Sequence, residues 1–129
     1  MKRLALIFIA MLLYCTQFFA QNAPKKFQYN YQNYETLPGD LEGGYAWEDA
    51  KSACANLTAF GKKDWYLPSK AELEGLYKRK DELGGFTDDW YWSSSEYETG
   101  SAWIMVFSDG SKYHLNELFN IRVRCVRKY

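Results

Sequence analysis

The sequence predicts an α+β domain, on three observations. A β-hairpin pattern runs through 101–115, where an apolar run is followed by Asp109-Gly110 and then by alternating residues. Two stretches ahead of it, at 46–59 and 69–83, carry apolar residues at helical spacing. A last alternating stretch at 121–128 reads as a closing strand. Helices gathered ahead of antiparallel strands, rather than alternating with them, mark this class.

The hairpin organises the rest. Asp109-Gly110 favours a type I′ turn, because both central residues tolerate positive φ. On the first strand Trp103, Met105 and Phe107 point one way, and Ile104 and Val106 the other. Both faces are apolar, which predicts a central strand covered on both sides. Trp90-Tyr91-Trp92 reads as a neighbouring strand. Ser93, Ser94 and Ser95 can bond local backbone and suit its end.

Upstream, Phe27, Tyr29 and Tyr31 alternate with polar residues and predict one short strand. Pro38, Gly39, Gly43 and Gly44 make 34–44 a loop. The first helix buries Ala46, Ala50, Ala53, Cys54 and Leu57, and stops near Gly61. Trp65 to Leu67 is extended before Pro68. Ser69 and Glu72 then form a capping box that opens the second helix, with Leu73, Leu76 and Tyr77 as its buried stripe. Gly84-Gly85 ends it.

The length of 129 residues fits one domain. Lys2 and Arg3, the apolar run 4–13 and the small residue Ala20 read as a secretory signal peptide over 1–20. Cys15 is a passenger there, since Tyr14 replaces the small residue that a lipid-anchor signal carries. The expected location is therefore outside the inner membrane: periplasm, cell surface or medium. No later stretch is apolar enough to span a membrane. Cleavage removes two cations and no acids, which leaves a slightly acidic chain and argues against a nucleic-acid partner. Two cysteines remain, and an even count in an exported chain favours a disulfide. Aromatic residues make up 19% of the chain, enough to build a dense core in a small domain.

Four ordered segments carry a resemblance: 50–57 (AKSACANL), 64–76 (DWYLPSKAELEGL), 91–110 (YWSSSEYETGSAWIMVFSDG) and 123–127 (VRCVR). Together they resemble the Lcl C-terminal domain family of exported bacterial proteins, catalogued as a domain of unknown function. The resemblance covers 45–129, with 21–44 as a lead-in holding a short strand and a loop. It implies a C-type-lectin-like fold: two helices packed on a small twisted antiparallel sheet, with a disulfide from the first helix to the last strand. Cys54 and Cys125 occupy those two places. The calcium-dependent sugar motifs of C-type lectins are absent, so the resemblance implies the fold rather than calcium-lectin activity. The paired catalytic cysteines of formylglycine-generating enzymes have no counterpart if Cys54 and Cys125 are bridged.

Each candidate chemistry has an ordinary alternative. Ser93, Ser94, Ser95, His114 and Asp109 contain the residue types of a nucleophilic triad, but no nucleophile-elbow spacing accompanies them. They read as sheet residues, and no catalytic residue is assigned. Asp88, Asp89, Glu96, Asn116 and Glu117 offer oxygen ligands, yet lack the spaced acidic loop of a calcium site. No metal or other cofactor is assigned. Arg122, Arg124 and Arg127 are expected to pair with acidic neighbours rather than to bind an anion. Trp65, Trp92 and Trp103 are expected in the core.

Trp90, Tyr91 and Tyr97 are expected to offer rings to a ligand, with Glu96, Asn116 and Glu117 as hydrogen-bonding partners. The predicted function is an extracellular, non-enzymatic module that recognises a glycan or a protein surface. A structural or assembly subunit of a surface complex is the alternative. Oligomerisation is compatible with either.

Overall fold

A computed structural model describes residues 22–129. The predicted signal peptide, with Cys15, lies outside the described residues. The elements run β1 (Lys25–Tyr29), β2 (Gln32–Thr36), α1 (Trp47–Ala55), α2 (Lys70–Lys78), α3 (Lys80–Leu83), β3 (Trp90–Glu98), β4 (Ser101–Val106), β5 (Lys112–Asn116) and β6 (Val126–Lys128). They form a mixed α/β structure with two antiparallel three-stranded sheets, ordered β1-β2-β6 and β3-β4-β5. The sequence pattern predicts two helices and one sheet; the described residues hold three helices and two sheets.

β4 is the central strand of its sheet, and each of its faces builds a separate core. Ala102, Ile104 and Val106 pack with Trp47, Ala50 and Cys54 of α1 and with Trp65, Trp92 and Val123. Met105 and Phe107 pack with Leu73 and Leu76 of α2, and with Phe27, Tyr34, Tyr91 and Val126. The buried indoles each donate a hydrogen bond: Trp47 to Ser93 O at 2.8 Å, Trp92 to Tyr45 O at 2.7 Å and Trp65 to Ala59 O at 3.2 Å. Pairing the N–H removes the cost of burying it, so the rings contribute their full apolar area.

Two turns differ from the sequence pattern. Residues 25–36 form a hairpin rather than one strand followed by a loop. Asn30 and Tyr31 both take positive φ, 48° and 62°, as a two-residue type I′ connection requires. Tyrosine rarely adopts that conformation, so its place in the aromatic alternation read as strand. In the β4–β5 hairpin, Gly110 has φ 79°, whereas Asp109 is not left-handed. The connection spans 107–110, and Val106 O accepts from Gly110 N at 2.7 Å. Asp109 Oδ1 instead accepts from Ser111 N at 2.9 Å and Ser111 Oγ at 2.6 Å. A Cβ on Gly110 would meet the Tyr77 ring at 2.6 Å, so glycine is required for packing as well as for φ.

The serines bond backbone as expected, but within a nine-residue strand rather than at its end. Ser93 Oγ donates to Trp103 O at 2.7 Å, and Ser95 Oγ accepts from Lys70 N at 2.9 Å. They lie where the β3–β4 register shifts between Trp92 and Glu96, so side chains satisfy groups that the ladder leaves open.

The stretch 121–128 is not one strand. Ile121 bridges Tyr45, Arg122 bridges Tyr91 in parallel, and Val126, the first residue of β6, bridges Tyr66. Its backbone serves both sheets in turn. Arg122 O accepts from Trp92 N at 3.0 Å, Val123 O from Leu41 N at 3.0 Å, and Cys125 O from Thr36 Oγ1 at 2.9 Å. Cys125 is bonded to Cys54 of α1, with both cysteines fully buried.

The helix cap is complete. Glu72 N donates to Ser69 Oγ at 3.1 Å, and Ser69 N donates to Glu72 Oε1 at 2.9 Å. Tyr66 OH adds a bond to Glu72 Oε2 at 2.6 Å. We expect Ser69→Ala to cost about 1 kcal/mol in a urea titration, and an unchanged midpoint would contradict the cap's role. The disulfide closes a sequence separation of 71, for which chain entropy gives about 4 kcal/mol. Unfolded, unreduced mature protein should therefore show no titratable thiol, and its midpoint should fall on reduction.

Candidate functional site

The six residues expected to gather into one site divide into two groups. Trp90 and Tyr91 start β3, while Glu96 and Tyr97 lie near its other end, about 20 Å away along an extended strand. Asn116 and Glu117 join the second group: Asn116 pairs with Ser101, and Glu117 N donates to Gly100 O at 3.0 Å.

Tyr91 is a correction to the expected set. It is 0% exposed, packed against Phe107 with ring centroids 4.4 Å apart, and offers a ligand nothing. It faces the core because it shares a sheet face with Met105, its partner on β4. Trp103 is corrected the other way. It is half-buried, with Lys70 Nζ 3.3 Å from its ring centroid and Tyr97 against it edge-on. Tyr97 is 50% exposed, yet one face of its ring is occupied by His114, stacked at 3.8 Å. Asn116 Oδ1 caps the following turn by accepting from Leu118 N at 2.9 Å.

Trp90 has a different setting. It is 43% exposed and lines a groove of about 350 Å³ together with Gly43, Gly44, Asp89, Asn120, Ile121 and Arg122. The Tyr45–Ile121 bridge brings the two glycines beside Asn120, where a Cβ on Gly44 would lie 3.2 Å from the Asn120 carbonyl carbon. Asp89 Oδ1 accepts from Trp90 N at 2.8 Å, and Asp89 Oδ2 from Arg122 Nε at 3.0 Å. The Trp90 N–H and then the Arg122 guanidinium hold the Asp89 carboxyl below its usual range.

Beneath the groove lies Asp40. Its Oδ1 accepts from Arg124 Nε at 3.0 Å and its Oδ2 from Tyr91 OH at 2.7 Å, with Arg122 Nη1 at 3.6 Å. Arg124 is wholly buried and also donates to Leu37 O at 2.9 Å and Gly84 O at 3.3 Å. Burial draws its pKa down, and the Asp40 carboxylate opposes that. Arg127 pairs with Glu35 and Asp64, each at 2.7 Å. All three arginines pair with acids, as expected, and Arg124 and Arg127 do so as interior groups.

At the far end of β3, burial and then the nearby Glu96 carboxylate push the Glu117 carboxyl upward. Its Oε1 is buried with no hydrogen-bond partner among the described residues. Among the described residues, no three His, Cys, Asp or Glu side chains converge as metal ligands. His114 Nδ1 lies 3.5 Å from Ser101 Oγ, whereas Ser93 is buried and bonded to backbone.

The sequence expectation missed Gly43, Gly44, Asn120 and Ile121 as groove residues. They come from two loops joined by one long-range bridge, and neither loop carries a local motif.

The family model described as the Lcl C-terminal domain matches residues 15–127. The match takes in the first hairpin as well as the helices and the second sheet. No curated protein matches the chain.

Glu117 yields a pH prediction. A raised carboxyl pKa means the folded state holds the proton more tightly, so stability is lost as pH rises above the ordinary glutamate value of 4.5. Glu117→Gln should therefore raise the melting temperature at pH 7 and lose that advantage in acid. An advantage independent of pH would place the effect elsewhere.

Proposed function

The chain belongs to the Lcl C-terminal domain family, and on that footing we propose that it is an exported, non-enzymatic binding module with a C-type-lectin-like scaffold. It recognises a hydroxylated surface, a glycan or a glycan-bearing protein, through the groove beside Trp90. The observation that carries this reading is the exposed indole set among Asp89, Asn120 and Arg122 in a groove of about 350 Å³. An aromatic face gives apolar contact to the C–H face of a sugar, and the carboxylate, amide and guanidinium orient its hydroxyls. The groove lies at the small end of ligand-site volumes, so a monosaccharide or disaccharide fills it. One such site is weak, and multiple copies on a surface raise its avidity.

A second reading, an assembly subunit, has its own support. Leu118 is 82% exposed and Phe119 is also exposed, and with Asn116 they line a separate hollow of about 290 Å³. β5 beside them is the open edge of its sheet, a position that invites strand pairing.

The two readings separate experimentally. On a glycan array, Trp90→Ala should weaken retention about tenfold, as expected for an aromatic anchor, while Tyr97→Ala should leave it unchanged. Trp90 lies outside both cores, so the variant is expected to fold; circular dichroism checks this. Equal retention by wild type and folded Trp90→Ala rejects the groove. Retention of no glycan, with a surface protein captured by wild type but not by Leu118→Ser, favours the assembly subunit.

A further inference from the structure

We propose that the Trp90 groove selects neutral pyranosides and rejects sulfated or carboxylated ones, because its guanidinium is already neutralised from within. This rests on the reading of the groove as a glycan site. Arg122 is the cation of the described groove lining, and a lone arginine beside an aromatic ring would ordinarily suit a sulfate or uronate. Here its Nε is held by Asp89 at 3.0 Å, and its Nη1 lies 3.6 Å from Asp40. Asp40 cannot swing away, because Arg124 and Tyr91 hold both of its oxygens. Asp89 is likewise fixed, by Trp90 N as well as Arg122.

The charges balance within the wall. Arg124 offsets Asp40 in the interior, and Arg122 offsets Asp89 at the surface. Gly43, Gly44, Trp90, Asn120 and Ile121 add no charge. The acids next in sequence, Glu42 and Asp88, are both exposed, and Asp88 reaches Lys80 only at 4.0 Å. An incoming anion therefore meets an arginine whose charge is already offset, with the Asp89 carboxylate beside it. A sugar hydroxyl meets the opposite: Asp89 and Asn120 have acceptor capacity to spare, and Arg122 Nη2 has no bond to either acid. Neutral selection arises from repulsion of the wrong ligand as much as attraction of the right one.

The test uses matched probes, immobilised lactose and 3′-sulfated lactose, with methyl β-glucoside and methyl β-glucuronide as soluble competitors. Wild type should retain lactose at least about tenfold better than its sulfated form, with little dependence on salt. Asp89→Asn keeps an oxygen for Trp90 N but frees Arg122, so it should narrow that ratio about tenfold and make retention of the sulfated probe salt-sensitive. Arg122→Gln, as a second variant, leaves the Asp89 carboxylate uncompensated and should widen the ratio; a narrowed ratio would contradict the charge balance. If wild type prefers the sulfated probe and Trp90→Ala abolishes its retention, neutral selection is wrong while the groove stands. If Asp89→Asn leaves the ratio unchanged, internal neutralisation is not its cause. Retention of neither probe by wild type rejects the groove reading and this inference together.

Discussion

The Asp40 carboxylate is the contact on which the arrangement of the groove beside Trp90 depends. It joins three parts of the chain that are far apart in sequence: the loop after β2, the start of β3 through Tyr91, and the segment before β6 through Arg122 and Arg124. Its side chain is 8% exposed and that of Arg124 is 0% exposed. Burying such a pair costs several kcal/mol per ion unless the remaining hydrogen bonds are satisfied. Here Leu37 O, Gly84 O and Tyr91 OH satisfy most of them, and Phe86 covers the guanidinium at 3.8 Å. Among the described residues Arg124 Nη2 has no hydrogen-bond partner. The pair thus specifies position more than it adds stability. The loop it anchors continues into Gly43-Gly44, and the arginine two residues before Arg124 forms the opposite wall of the groove.

A second constraint works through the backbone. Residues 121–128 leave one sheet and enter the other, so that single segment fixes how the two cores meet. β4 contributes to both cores from its two faces, and the disulfide ties α1 to the shared segment. Loops held at both ends by such a frame can present side chains with little loss of order on binding. The groove is built from three of them: 40–45, 87–90 and 117–122.

Features determined by near neighbours were legible in the sequence. The Ser69–Glu72 box needs only a three-residue spacing, and both halves of it form. The two apolar faces of β4 follow from strand alternation alone. The Cys54–Cys125 bond was expected from the count of mature cysteines and from the resemblance. Features set by distant partners were not legible. Tyr31 turns the first hairpin against its own propensity, because Phe27 and Tyr34 gain a stacked contact at 5.1 Å when the chain reverses. Tyr91 and Trp90 are adjacent aromatics with similar sequence surroundings, yet Tyr91 is buried while Trp90, on the face that buries Trp92, stays exposed where the strand begins. Trp103 belongs to an apolar strand but to neither core, and Lys70, Tyr97 and His114 pack on its ring. The groove itself depends on the Tyr45–Ile121 bridge, which no local pattern announces.

The dependence on Asp40 is tested most directly by a double-mutant cycle with Asp40→Asn and Arg124→Met, read as urea stability. If the buried pair holds loop and segment together, each single change strands an uncompensated partner. The double variant should then recover at least about 1 kcal/mol of the summed loss. Additivity within about 0.3 kcal/mol would contradict the account, since it would mean that the loop and the segment keep their places without that contact.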